Sequence, residues 1–294
     1  MQTTYIKLIV AFLTISCLTA CSKEEELDVD VTKLTSDTWV KGPLDTWLYD
    51  NMVVPYNIEV KYRFDRYELS LGRNITPPRE DRVIPVIESI KKTWIAPYDQ
   101  IAGPAFIKRL SPKQFVLVGS PEYNTNGTIT LGTAEGGRKI VLFKLNDFAT
   151  DNKREVKQML HTIHHEFGHI LHQNIMYPQE FKRITPSYTA SWNDFDLADA
   201  NSRGFVTEYS RSNPDDDFVE MISIMLIEGR TNFDAMVNGL VLPDPNDPTK
   251  TVPNTAARAA LRQKEQMIVR YFKESWNIDF YTLQLNAQAA INAL

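Results

Sequence analysis

All five histidines of the chain, His161, His164, His165, His169 and His172, lie between Asn152 and Asn174. Within that stretch, His165-Glu166-Phe167-Gly168-His169 is a His-Glu-x-x-His pattern. On a helix, residues i and i+4 fall on one face a turn apart, so both imidazoles can be aimed at one point. Zinc takes imidazole nitrogen at about 2.0–2.1 Å, and a catalytic site keeps one position for a water whose pKa falls to about 7. Glu166, next to the first histidine, stands where a carboxylate can take that water's proton and later return it to a leaving group. The motif therefore points to one zinc ion per chain and to hydrolytic chemistry, provided that the segment is helical.

The flanking residues say that it is. Val156, Leu160, Ile163, Phe167 and Ile170 step by four and three, the spacing of one buried helix face. Asn152 is a candidate N-cap, with Glu155 as its capping-box partner three residues on. His161 and His172 share the face of the motif one turn to either side and read as partly exposed polar positions. His164 points elsewhere and reads as structural.

Two histidines leave a zinc site short of a ligand. The pattern His-Glu-x-x-His-x-x-Gly-x-x-His is excluded, because its last two named positions hold His172 and Ile175. A carboxylate from a second helix is the other solution. Asn213-Pro214-Asp215-Asp216-Asp217 opens such a helix, with a good N-cap, proline at the first helical position and acids in the first turn. Phe218, Met221, Ile222 and Met225 form its apolar stripe. Asp216 and Glu220 are i, i+4 there, so one can reach the metal while the other binds a histidine N–H. Asp215 reads as a helix-terminus charge. Asp194, Asp196 and Asp199 are a fallback source of the third ligand.

The elements that must carry these residues suggest an α+β domain. Before the histidine helix, Ile58–Phe64, Phe115–Gly119, Thr128–Leu131 and Lys139–Lys144 read as strands, with turns at Asn126-Gly127 and Gly136-Gly137. A helix should start at Pro77-Pro78 and run through Val83, Ile87, Ile90 and Trp94. After Gln173 comes a polar connection holding Tyr188 and Trp192. The helix from Asn213 follows, then a proline-rich loop from Pro243 to Pro253, a helix around Ala256–Phe272 and a closing helix at Asn286–Leu294. The expected arrangement is a mixed sheet and a helix before the motif helix, and a mainly helical C-terminal part.

Residues 1–20 read as a secretory signal, with Lys7 before a short apolar run. Leu18-Thr19-Ala20-Cys21 resembles the bacterial lipobox, which makes Cys21 the lipidated first residue of the mature chain. Ser22-Lys23-Glu24-Glu25-Glu26 begins an acidic tether over residues 21–38, similar to tags that send lipoproteins to the outer face. Loss of Cys17 with the signal leaves no internal disulfide and no cysteine ligand. Residues 39–294, about 255 in all, suit one domain. The net charge of −5, without a basic cluster, speaks against nucleic acid, and no later segment is apolar enough to span a bilayer.

Taken together, His165-Glu-Phe-Gly-His169 and Tyr209-x-Arg-Ser-Asn-x-x-Asp216-x-Phe218-x-Glu220 resemble the gluzincin metallopeptidases of the lethal-factor toxin type. With the lipobox, the chain is more similar still to zinc metallopeptidase lipoproteins encoded beside TonB-dependent import systems. The resemblance implies a zincin-like fold in which Asp216 ligates zinc, Glu220 supports a histidine and Tyr209 donates to the oxyanion of the tetrahedral intermediate. It departs at Asp216, where the family usually has the longer glutamate, so Glu220 stands as the alternative ligand. The implied setting is an outer-membrane lipoprotein, lipid-anchored and facing the cell surface. A peptide or protein is the implied substrate and a TonB-dependent import complex the implied partner. A catalytically silent surface lipoprotein that binds an import substrate and retains zinc is the alternative, as is a metal scavenger using the whole histidine cluster. Glu166 argues against the silent form, because a structural site needs no base.

Overall fold

Proline and glycine punctuate the first helices. Pro43 opens α1 (Pro43–Leu48), and the Asp45 carboxylate reaches back to accept the Gly42 N–H at 2.7 Å. The helix runs through a π-helical turn at Tyr49–Val53 and stops after Val54–Tyr56, where Asn57 is left-handed with φ 58°. This computed structural model describes residues 40–294 apart from 66–67, 70–73, 125–128, 131 and 136–137. The signal at 1–20, Cys21 and the tether at 21–38 lie outside the described residues. So do the turns at Asn126-Gly127 and Gly136-Gly137 and both ends of the strand expected at Thr128–Leu131. Contacts divide the chain into Met1–Lys41 and Gly42–Leu294, and every element named here belongs to the second unit.

The sheet is small and mixed. β1 (Glu59–Lys61) pairs in parallel with β2 (Gln114–Leu117), and β2 in parallel with β6 (Lys139–Leu142). Parallel strands need a crossover. Between β1 and β2 it is made by α2 (Glu80–Ile90), which continues through a π-helical turn at Lys91–Ile95 into α3 (Ala96–Ala102), then by α4 (Pro104–Leu110). The helix starts at Glu80 rather than at Pro77-Pro78, because Arg79 is still extended at its cap. β3 (Glu122–Tyr123) and β4 (Ile129–Thr130) form a separate antiparallel pair. β5 (Gly132–Glu135) lies antiparallel on β6 and closes the order β1-β2-β6-β5. Alternation assigns the faces: Phe115, Leu117, Ile140 and Leu142 enter the main core, and Val116, Val118, Val141 and Phe143 form a smaller cluster.

The motif helix is α5 (Lys153–Asn174). Val156, Leu160, Ile163, Phe167 and Ile170 are all buried, and Phe167 meets Trp94 and Tyr98 edge-on at 5.3 and 5.2 Å. Asn152 caps the helix by accepting the Glu155 N–H at 3.4 Å. The reciprocal arm of the capping box is missing. Lys144, at 3.0 Å, and Arg154, at 3.3 Å, draw the Glu155 carboxylate away.

Beyond α5, short 3-10 turns at Gln179–Arg183, Trp192–Asp194 and Tyr209–Arg211 surround α6 (Leu197–Ser202). α7 (Pro214–Asn238) starts as expected but continues well past Leu226, breaking at Gly229, where φ is 73°. The break frees the carbonyls of Met225 and Leu226, and Gln284 and Gln288 of a later helix donate to them at 2.6 and 2.7 Å. The segment expected as a proline-rich loop is instead a two-stranded ribbon, β7 (Val241–Asp244) and β8 (Asp247–Pro253). In a two-stranded ribbon both strands are edges, and edges tolerate prolines at strand ends and outward-facing positions. α8 (Thr255–Trp276) follows, and α9 begins at Phe280, not Asn286, under an Asp279 cap that accepts the Thr282 N–H at 2.8 Å. The architecture is thus α+β, with a mixed sheet before α5 and mainly helix after it. Among the described residues no helix is long and apolar enough to cross a membrane.

Candidate metal centre

α5 and α7 lie against each other with little between them. A Cβ at Gly168 would fall 2.8 Å from Val219 Cγ1, so glycine at this position lets the two backbones approach. One turn of α5 then faces the first turns of α7, which carry Asp216 and Glu220.

The distances at this junction fit a tetrahedral ion. The Nε2 atoms of His165 and His169 are 3.2 Å apart. Asp216 Oδ1 lies 3.5 Å from His165 Nε2 and 3.3 Å from His169 Nε2. Three ligands of a tetrahedral zinc at its usual bond lengths stand about 3.3–3.4 Å apart. Two imidazoles and one carboxylate are also a donor set that zinc favours. The residues present therefore fit the ion.

The two acids of α7 occupy different places. Asp216 Oδ2 accepts from Ser212 Oγ at 2.5 Å and from Asn213 Nδ2 at 2.6 Å, which leaves Oδ1 turned toward the imidazoles. Burial opposes ionisation of Asp216, yet the bonds from His165, His169 and Ser212 hold its carboxyl well below the usual carboxylate range. Glu220 Oε1 instead accepts from Nδ1 of His165 at 2.6 Å and from Nε2 of His161 at 2.8 Å. Its Oε2 accepts the Thr207 hydroxyl at 2.5 Å. Glu220 thus engages the far side of the His165 ring and faces away from the point enclosed by the three donors. Its carboxyl too is held low by His161 and His165 against a burial that favours the neutral form. A carboxylate can only accept, so His165 carries its proton on Nδ1 and its lone pair on Nε2. In the metal-free chain burial opposes a second proton on His165, but Asp216 and Glu220 outweigh it and push the ring up to about 10. An ion entering the site displaces that proton.

Glu166 is half-buried, and its ligand atoms lie within 4.8 Å of those of His165 and His169. Burial raises its pKa above the ordinary glutamate value, with the two histidines opposing, so the carboxylate is a stronger base than one in water. Tyr209 packs its ring 5.6 Å from the His165 ring and remains 38% exposed. Burial first, then the charges of Asp216 and Glu166, raise its hydroxyl, which therefore stays protonated and able to donate.

A family described as "Putative zinc-binding metallo-peptidase" matches residues 37–281. The chain belongs to this family. A crystal structure of a putative zinc-binding metallo-peptidase from Bacteroides caccae ATCC 43185 is similar over 85% of this chain and 91% of that one, at 30% identity and a TM-score of 0.68. No protein of curated function matches the chain.

In this member of the zinc-binding metallo-peptidase family the remaining polar candidates separate clearly. Asp196 caps α6 through the Asp199 N–H at 2.8 Å, and Asp199 pairs with Arg203 at 3.0 Å and with Arg211. Asp194 ends a 3-10 turn on the same segment. None of these three joins the histidines, so the fallback ligand source is corrected. Asp215 takes the Tyr177 hydroxyl. His164 is buried against Tyr98, and burial pushes it down to about 3, as suits a structural residue. His161 is partly exposed as expected and bonded to Glu220, whereas His172, expected to be partly exposed, is buried with its Nε2 2.9 Å from His169 Nδ1. Thr207, Ser212 and Gly168 also contact or shape the site. Ser212 adjoins the Asn213 cap and Gly168 lies inside the His-Glu-x-x-His motif, but neither motif assigns these residues a role, and Thr207 had no signal of its own.

Proposed function

We propose that this chain is a zinc-dependent peptide-bond hydrolase with a gluzincin, zincin-like site, in which His165, His169 and Asp216 hold one ion. The observation that carries the reading is the triangle of donor atoms at 3.2, 3.3 and 3.5 Å with Glu166 beside it. Zinc bound there supplies a Lewis acid for the scissile carbonyl and acidifies a water molecule. Glu166 takes the water proton as the new C–O bond forms and delivers it to the amine nitrogen as the C–N bond breaks. Tyr209, held protonated, donates to the oxygen that gains charge. Glu220 keeps the His165 lone pair on Nε2, and Ser212 with Asn213 keeps Asp216 Oδ1 turned inward. Metal analysis with a peptide-library cleavage screen tests the assignment. One zinc per chain and cleavage are expected. One zinc without cleavage of any peptide favours the silent binding protein, and several zinc ions per chain favour a scavenger.

The setting is a separate proposal. The lipobox ending at Cys21 and the acidic residues after it support an outer-membrane lipoprotein on the cell surface, and a TonB-dependent import complex as its neighbour rests on the family resemblance alone. Cys21→Ala should leave the chain out of the membrane fraction, and wild-type membrane retention of that variant would overturn the anchor. Protease shaving of intact cells tests the surface step, and full protection would overturn it alone.

A further inference from the structure

Of the three donors in the triangle, His165 and Asp216 each have a hydrogen bond whose direction is fixed, His165 to the Glu220 carboxylate and Asp216 from Ser212 and Asn213, whereas that of His169 is not. The partner of its Nδ1 is another imidazole, Nε2 of His172, at 2.9 Å. An imidazole pair shares one proton and can hold it in either direction. If His172 Nε2–H donates, His169 Nδ1 accepts, and a neutral His169 carries its proton on Nε2. That nitrogen is the one facing His165 Nε2 and Asp216 Oδ1, and it would then have no lone pair to offer. If His169 Nδ1–H donates instead, Nε2 is free to ligate, and His172 must carry its own proton on Nδ1.

The surroundings of His172 permit only a neutral ring to play this part. It is 4% exposed and lies edge-on to Tyr177 at 5.6 Å and to Phe218 at 6.4 Å. Among the described residues no carboxylate lies within ion-pair distance of it, and its Nδ1 has no hydrogen-bond partner. A charged ring there would be poorly compensated. His165 differs, because its Nδ1 rests on the anionic Glu220 at 2.6 Å.

We propose that His172 is a positioning residue for the metal centre: its Nε2 accepts the Nδ1–H of His169 and thereby fixes the tautomer in which His169 Nε2 can ligate. The two imidazoles of the motif are then backed unequally, one by a buried anion and one by a buried neutral acceptor. The less basic of the two ligands is His169. This inference rests on the proposed zinc site.

The test compares the full chain with His172→Phe and His172→Gln. Phenylalanine keeps the aromatic packing but removes the acceptor, and the glutamine amide oxygen restores one. Zinc affinity is measured with zinc chloride against a competing chelator, and the folding of each variant by circular dichroism without metal. His172→Phe should bind zinc about 10–100-fold more weakly, the range for losing such a partner, and His172→Gln should recover most of it. Equal affinity in wild type and His172→Phe would overturn the proposal, as would equal losses in both variants. Ring nitrogen-15 NMR of the zinc-loaded wild type is independent of variant folding. It should find His169 and His172 both protonated on Nδ1, and a proton on His172 Nε2 would overturn the assignment. Failure of the wild type to bind zinc at all would instead count against the zinc reading itself.

Discussion

Replacing Gly168 with alanine perturbs the centre without touching a ligand. The new Cβ would stand 2.8 Å from Val219 Cγ1 and 3.0 Å from Val219 Cβ. Carbon atoms prefer about 3.5–4.0 Å, so α5 and α7 must separate locally by roughly 0.7–1 Å. Val219 cannot swing aside, being fully buried and branched at Cβ. Asp216 rides on α7 one turn before it, at 3.3 and 3.5 Å from the two imidazole nitrogens. The same shift opens those gaps to roughly 4–4.5 Å, well past the separation of about 3.3–3.4 Å between two ligands of a tetrahedral zinc. Alanine gains about 0.5–1 kcal/mol as a better helix former, and overpacking costs about 1–3 kcal/mol. Metal-free stability should therefore drop by no more than about 2.5 kcal/mol. Zinc affinity should fall about 10–100-fold, since a ligand misplaced by more than about 0.5 Å binds poorly. Chelator competition and urea unfolding of metal-free protein measure the two effects separately. A variant that binds zinc like wild type and is more stable would refute the claim that this glycine sets the helix separation.

Asp216→Asn should weaken zinc binding more than Glu220→Gln, for which about a 10–100-fold loss is expected, and side-by-side chelator competition reads the order. A larger loss for Glu220→Gln would reverse the two roles. Lys264 and Asp217 form an ion pair at 2.7 Å with both side chains 0% exposed, and Asp217 also accepts from Tyr188 at 2.9 Å. Lys264→Met strands the buried carboxylate and should lower stability by about 3–5 kcal/mol in urea unfolding. A loss below about 1 kcal/mol would show that the pair is not structural. The Thr282 N–H holds the Asp279 carboxyl below its ordinary value, so its cap strengthens α9 above the unfolded pKa of about 3.9 and fades as pH falls through the folded value. Asp279→Ala should cost about 1 kcal/mol at pH 7 and progressively less in acid, and a pH-independent difference would contradict the cap.

The parts of the fold that the residues announced share a physical feature: the signal is local. The α5 stripe from Val156 to Ile170 repeats at helical spacing, and Asn213-Pro214 starts α7 by cap chemistry that needs no distant partner. The α+β class follows from such elements, with β2 and β6 readable as short apolar runs. What was hidden depends on contacts far along the chain. Gly168 occupies a free position of the motif, and only the arrival of Val219 gives it a role. His172 shares the site face of α5 by periodicity, but Tyr177 and Phe218 bury it. Prolines made β7 and β8 look like a loop, and the Gly229 break was invisible without Gln284 and Gln288 to donate to the carbonyls of Met225 and Leu226. Capping-box spacing at Glu155 was present, yet a stronger pull from Lys144 took the carboxylate.

The central claim is that Glu166 moves the proton in a hydrolysis that zinc enables. Glu166→Gln keeps nearly the same shape and leaves His165, His169 and Asp216 untouched. The measurement is zinc content and peptide hydrolysis of this variant beside wild type, on a peptide that the wild type cleaves. The account predicts one zinc retained per chain and turnover reduced by about 10²–10⁴-fold or more. Unchanged turnover in the glutamine variant would contradict it.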